Sequence, residues 1–273
     1  MSASGKRIAL RIEYDGSAFG GWQKQASPEI PTVQGCLETA IGQVADAPVK
    51  LVCAGRTDAG VHATAQIAHF ECPLDRGERA WTMGVNSLLP PAVRVREAFL
   101  PSADFNSRFS ALSRRYVYVL YGGAIDSALL TGHAVREPGK LDPEAMREGA
   151  RHLLGELDFS SFRAAGCQSK SPFREVRFVD VYAQREFVVI DICANAFLQH
   201  MVRNIAGSLL EVGRGERKRG WIREILQARD RKAAGVTAPP EGLYLVAVSY
   251  PQDCGIPSRA IAPPILDRLP DAG

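Results

Sequence analysis

The stretch Gly55-Arg56-Thr57-Asp58-Ala59-Gly60-Val61-His62 lies between two apolar runs, Val49 to Ala54 and Gln66 to Cys72. Apolar run, glycine-bounded loop, apolar run reads as strand, loop, strand. Gly55 and Gly60 let the backbone turn sharply or approach a ligand closely. The loop carries an arginine, a hydroxyl, a carboxylate and a histidine, and loops held by strands are where reactive side chains concentrate. A polar hairpin tip with Asp58 making a local turn bond is the bland alternative.

Working outward, Ile8, Leu10, Ile12 and Tyr14 alternate with charged residues, as a half-buried strand does, and Asp15-Gly16 ends it. Phe19 to Gln25 is a glycine-rich loop with two aromatics, either tucked into the core or gripping a polar ligand. Val33, Leu37, Ala40, Ile41 and Val44 fall at helical spacing over 32–45, between Pro31 and Pro48. A second helix is expected over 79–89 and a strand over 93–99. Residues 101–113 read as a connection and 114–121 as a strand. Asp142 and Pro143 cap a helix over 142–154. Residues 155–172 read as irregular. Strands over 175–184 and 186–194 follow, then the strongest helix, 197–212. A short helix over 221–229 and a strand over 243–250 complete the pattern. Residues 251–273, with five prolines and no period, read as a mobile tail. The expected architecture is α+β: two similar subdomains, 1–105 and 106–250, with mostly antiparallel sheets faced by helices, a cleft for the site between them, and the tail 251–273.

The 273 residues carry 33 basic and 30 acidic side chains, so net charge alone does not demand a nucleic-acid partner. The distribution says more. From Arg203 to Lys232 nine basic residues face four acids, and Arg108, Arg114 and Arg115 add to these near Tyr116. Such a run is a solvated face or a surface that tracks an RNA backbone. The six cysteines form no C-x-x-C pair and read as reduced thiols of a cytoplasmic protein. The first residues carry no signal h-region, and no run is long enough to span a membrane.

Asp58 can be a base, a nucleophile or a metal ligand. No second carboxylate lies between residues 47 and 70, which argues for a carboxylate acting without metal. To stay ionised out of water it needs a cation beside it. Arg56 can share its face or grip a phosphate. Arg203 stands on an apolar face of the 197–212 helix and needs a carboxylate there. Tyr116, flanked by arginines, suits an unstacked base or plain strand packing. Leu243 suits a pocket wall or the core.

Several of these motifs together resemble the tRNA pseudouridine synthases of the TruA type. They are Tyr14-Asp15-Gly16, Gly21-Trp22-Gln23, the Asp58 loop, Arg114-Arg115-Tyr116-Val117-Tyr118, Phe197 to Ile205, and Ala233 to Tyr244. The resemblance implies a pseudouridine synthase fold. It implies isomerisation of uridine to pseudouridine at positions 38, 39 and 40 of the tRNA anticodon arm. It further implies Asp58 as nucleophile, Arg203 as its partner, Tyr116 on the target uracil, Leu243 in the uracil pocket, and a homodimer. No redox change occurs, so no cofactor and no metal is expected. Substrate contacts are expected from Tyr116, Arg56, Leu243, Arg114 and Arg115. Two rivals make different predictions: a non-catalytic RNA-binding module, and a metal-dependent hydrolase built on Asp58, His62 and His69.

Overall fold

The computed structural model describes residues 6–25, 30–74 and 76–271. Met1–Gly5, read as part of the N-terminus, and the last two tail residues lie outside them. The protein divides into two compact units, Met1–Arg114 with Leu245–Pro263, and Arg115–Tyr244 with Pro264–Gly273.

In the first unit β1 (Lys6–Tyr14) pairs antiparallel with β3 (His62–Cys72) on one side and β4 (Val93–Phe99) on the other. Short β2 (Val52–Cys53) also pairs with β3. The strand β10 (Leu243–Ser249) lies on the far side of β3, giving the order β4-β1-β3-β10. Ile8 faces Phe70 and Leu10 faces Ala68 across β1 and β3, all four buried. Helix α1 (Val33–Ala45) starts where expected: Thr32 accepts the Gly35 amide at 3.2 Å, and Val33, Leu37, Ala40 and Ile41 are buried. The expected helix over 79–89 is present over residues 77–86, where α2 (Gly77–Arg79) runs into a π-helical turn over Ala80–Gly84 before a last helical step. Trp81 is buried there, edge-on to Phe70 at 5.2 Å, so a bulky anchor rather than an amphipathic period shapes this segment.

In the second unit β5 (Ser113–Tyr121), β9 (Phe187–Ala194), β8 (Phe173–Gln184) and β7 (Gly155–Asp158) form the order β5-β9-β8-β7, with β6 (Val135–Arg136) parallel to β5. Helices α3 (Pro143–Ala150), α4 (Met201–Gly213) and α5 (Trp221–Ala228) accompany them. Asp142 caps α3 as its sequence implies. Helix α4 begins four residues later than its apolar period, because His200 sits in the left-handed region at φ 61 and breaks the turn before it. Residues 155–158, read as irregular, are the edge strand β7, pairing Gly155 to Val176 and Asp158 to Phe173.

The unit boundary at 114/115 differs from the expected 105/106, and the C-terminal residues are not a tail apart. Residues 251–263 return to the first unit: Cys254 and Ile256 are buried, and Thr64 donates to the Ile261 carbonyl at 2.6 Å. Residues 264–271 pack on the second unit, where Leu266 is buried and Gln184 takes the Asp267 amide at 2.8 Å. Proline-rich sequence lacks a period because it forms no regular element, yet its apolar side chains still find a core.

Candidate active site

In the first unit, the loop bearing Asp58 is held from several directions. Gln66, on β3, clamps its start: its amide donates to the Gly55 carbonyl at 2.6 Å and its oxygen accepts the Gly55 amide. The buried Tyr14 hydroxyl lies 2.8 Å from Thr57 Oγ1. The Trp22 amide donates to the Thr57 carbonyl at 3.0 Å, so the glycine-rich Phe19–Gln25 loop braces this one. The loop closes on itself through the Val61 amide, which donates to the Asp58 carbonyl, and turns at Gly60 with φ 78. At its end His62 Nδ1 accepts the Gly16 amide at 3.0 Å. Thr57 and His62 are buried, Asp58 is half-buried and Arg56 is exposed. The result is a carboxylate presented at the surface on a backbone with little freedom.

Arg114, expected to hold RNA, is buried and spent on backbone. Its Nε and Nη2 donate to the Ala54 carbonyl, Nη2 also to that of Arg108, and Nη1 to that of Ala111. It ties the base of the Asp58 loop to the connection before β5. His69 is likewise structural. Its Nδ1 lies 2.8 Å from Ser107 Oγ, and burial, with Arg7 nearby, pushes its pKa down to about 4. His62 and His69 are thus engaged separately. Among the described residues no group of three or more potential metal-binding side chains occurs.

In the second unit, Arg203 projects from α4 and is half-buried. Its Nε donates to the Ala238 carbonyl at 2.8 Å, while the Ala238 amide donates to the Arg203 carbonyl. Residues 231–238 are laid against the helix by further bonds. Arg231 and Thr237 both donate to Asn204 Oδ1, and the Gly235 amide donates to Ser208 Oγ. Gly207 has no room for a Cβ beneath the Val236 carbonyl, which fixes how closely this loop approaches. The guanidinium is therefore oriented by the loop that leads to Leu243.

Tyr116 is buried on β5, edge-on to Phe197 with centroids 5.2 Å apart and planes at 86°. Its neighbour Tyr118 donates to the Pro239 carbonyl at 2.8 Å. Burial and then Glu241 push the Tyr118 phenol up, and the Arg203 charge opposes them. Leu243 is buried at the start of β10.

Arg115 is buried in a two-pronged pair with the fully buried Asp191, at 2.8 and 2.6 Å, and also donates to the Pro270 carbonyl. Two residues next to Tyr116 in sequence thus serve the scaffold, because a buried guanidinium must find acceptors. Part of the basic run is also neutralised. Arg214 pairs with Glu137, Arg217 with Glu211, and Arg219 with Glu148, around a cavity of about 650 Å³ that Lys218 also lines.

Sequence reasoning missed Gln66 as a residue that shapes the site, and it took Tyr14 and Gly16 only as parts of a motif. The signal was Gln66 itself, a polar side chain that opens the otherwise apolar run to Cys72.

Comparison with known proteins agrees with these features. A family profile described as tRNA pseudouridine synthase matches residues 11–110 and 150–251, well over half of the chain. The tRNA pseudouridine synthase A of Photobacterium profundum is 49% identical over 257 residues, covering 94% of this chain and 98% of that protein. Its counterpart in Vibrio campbellii is 51% identical over 94% of this chain and 97% of its own length. A solved chain titled as a Cbf5-Nop10-Gar1 complex aligns with TM-score 0.29 and 11% identity over 75% of this chain and 54% of that one, and bears no weight. An α+β fold with a loop carboxylate and an aromatic strand thus belongs to an isomerase that modifies RNA. The chain belongs to the tRNA pseudouridine synthase family, and its reaction turns uridine in tRNA into pseudouridine. No helix among the described residues is long and apolar enough to cross a membrane.

Proposed function

We propose that the enzyme acts on uridines 38, 39 and 40 of the tRNA anticodon arm, with Asp58 as its nucleophile. One observation carries this reading: Asp58 stands half-buried on a loop whose backbone is bonded to Trp22 and Gln66 and whose Thr57 and His62 side chains are bonded to Tyr14 and Gly16. A nucleophile gains most from being held ready before the substrate arrives.

The reaction breaks the glycosidic C–N bond and joins the same uracil through carbon. The base must first leave the stack, so that its sugar and ring edges become reachable. Asp58 attacks the anomeric carbon or the uracil ring, and the detached base turns before it is rejoined. The proton on C5 of the uracil is lost as the new carbon–carbon bond forms. Arg203 keeps Asp58 ionised, a role that suits a half-buried guanidinium whose Nε is already anchored on Ala238. Tyr116 packs against the uracil, and Phe197 fixes its ring plane. Leu243 walls the pocket, and exposed Arg56 takes a backbone phosphate. The enzyme works in the cytoplasm as a homodimer, in which two copies pool their modest positive charge on one tRNA.

Mapping of modified positions tests the reading. Unmodified tRNA incubated with the enzyme acquires pseudouridine at 38, 39 and 40 and at no other position. Modification confined to another arm of the tRNA contradicts it.

A further inference from the structure

The connection between β4 and β5 presents one large ring to solvent on an unusually firm support. Phe109 is 78% exposed. The loop beneath it is not slack. Asn106 Oδ1 accepts the amides of Arg108 and Phe109 at 3.0 and 3.1 Å, and Asn106 and Ser110 exchange two further bonds. Ser107 is fully buried, its carbonyl taking the Tyr250 hydroxyl at 2.7 Å. Phe105 is buried edge-on to Tyr250. Phe105 and Ser107 are anchored inward and the backbone of Asn106–Ser110 is bonded to itself, so the loop fixes the exposure of Phe109.

The guanidinium of Arg108 lies across the Phe109 ring, 5.4 Å from its centroid. An arginine stacked on an exposed aromatic is a pairing that holds unstacked bases and reads no sequence. The loop is also coupled to the reacting carboxylate. Arg114 Nη2 bridges the carbonyls of Arg108 and Ala54, and Ala54 directly precedes the Gly55–His62 loop. Arg56 and Arg108 both act on the buried Cys53 thiol, opposing the burial that raises it, so their positive charges belong to one neighbourhood.

We propose that Phe109, with Arg108 across it, is a stacking platform for a nucleobase of the tRNA adjoining the target uridine. This rests on the reading of Asp58 as the reacting group on tRNA. A base drawn out of its stack leaves neighbours without a partner, and an aromatic face offered beside the reacting loop replaces part of that lost stacking. Phe109 is then a positioning residue that touches RNA and takes no part in bond making.

The test compares Phe109→Ala, Phe109→Leu and Phe109→Trp with wild type by tritium release from tRNA labelled at C5 of uridine. Base–aromatic stacking implies that the alanine and leucine variants lose about tenfold or more in kcat/KM. Phe109→Trp stays within about twofold of wild type, because its ring still stacks. Melting temperatures stay at the wild-type value, since the ring packs on no core. Full activity in Phe109→Ala, with wild type active, overturns the platform alone. Full activity in Phe109→Leu shows that an apolar contact suffices and overturns it too. A deficit that disappears at high enzyme concentration, with a lower sedimenting mass, makes Phe109 a contact between copies and also overturns it. No release by wild type overturns the proposed function and the platform together.

Discussion

Tyr14 and Thr57 meet through their hydroxyls at 2.8 Å, so the residue immediately before Asp58 is fixed to the end of β1. Tyr14→Phe removes that contact and leaves a buried threonine oxygen short of a partner. The expected cost is about 1–2 kcal/mol of stability. The larger effect falls on chemistry: kcat drops about tenfold as the carboxylate loses its placement, with KM little changed. Steady-state kinetics beside thermal melting separate the two.

Gly16 is a second fixed point. Its Cα faces the Val61 carbonyl so closely that an added Cβ collides with backbone, which cannot swing aside as a side chain can. Gly16→Ala therefore pushes Val61 and with it the turn after Asp58. It is expected to cost roughly 2 kcal/mol or more, and to abolish most activity even where the variant still folds. Circular dichroism with the tritium assay checks this.

His69 makes stability pH-dependent in a stated direction. Its native pKa is about 4, lowered by burial, against an ordinary value of 6.5. The unfolded chain therefore binds a proton between these values that the native protein does not. Stability is complete above about pH 6.5 and is lost as pH falls towards 4, by roughly 3 kcal/mol in all. Denaturant melts of wild type and His69→Gln across this range measure the difference: the wild-type curve falls with acid more steeply than that of the variant.

The C-terminal residues 264–271 act as a strap on the second unit. Leu266 is buried, Pro270 accepts from Arg115, and Gln184 bonds to the Asp267 amide and the Arg268 carbonyl. Ending the chain after Pro263 takes an acceptor from the buried Arg115 and exposes apolar surface. The expected loss is about 2–4 kcal/mol, read as a lower melting temperature and faster proteolysis of residues 115–244.

Much of this was legible where local chemistry and packing agree. The apolar period of 32–45 announced α1, Asp142 announced α3, and Val93 to Phe99 announced β4, because each carries its own cap or period. The reading failed where distant residues decide. The Ala80–Gly84 turn follows Trp81 into a pocket by Phe70, and α4 starts late because of one backbone angle at His200. At the site, Asp58 stood out through its loop. What holds that loop did not, since Tyr14 and Thr57 are 43 positions apart and no spacing rule connects them. Arg114 and Arg115 were read by their adjacency to Tyr116, and the sequence did not show their buried bonds to the Ala54 carbonyl and to Asp191. An arginine's sequence neighbours do not say which way it points.

Attack of the Asp58 carboxylate on tRNA is tested by replacing that carboxylate. Wild type and Asp58→Ala are compared for tritium release from tRNA labelled at C5 of uridine, together with tRNA binding by filter retention. Wild type is expected to release tritium steadily and Asp58→Ala none above background, with binding retained in both. Release by Asp58→Ala at the wild-type rate contradicts that attack.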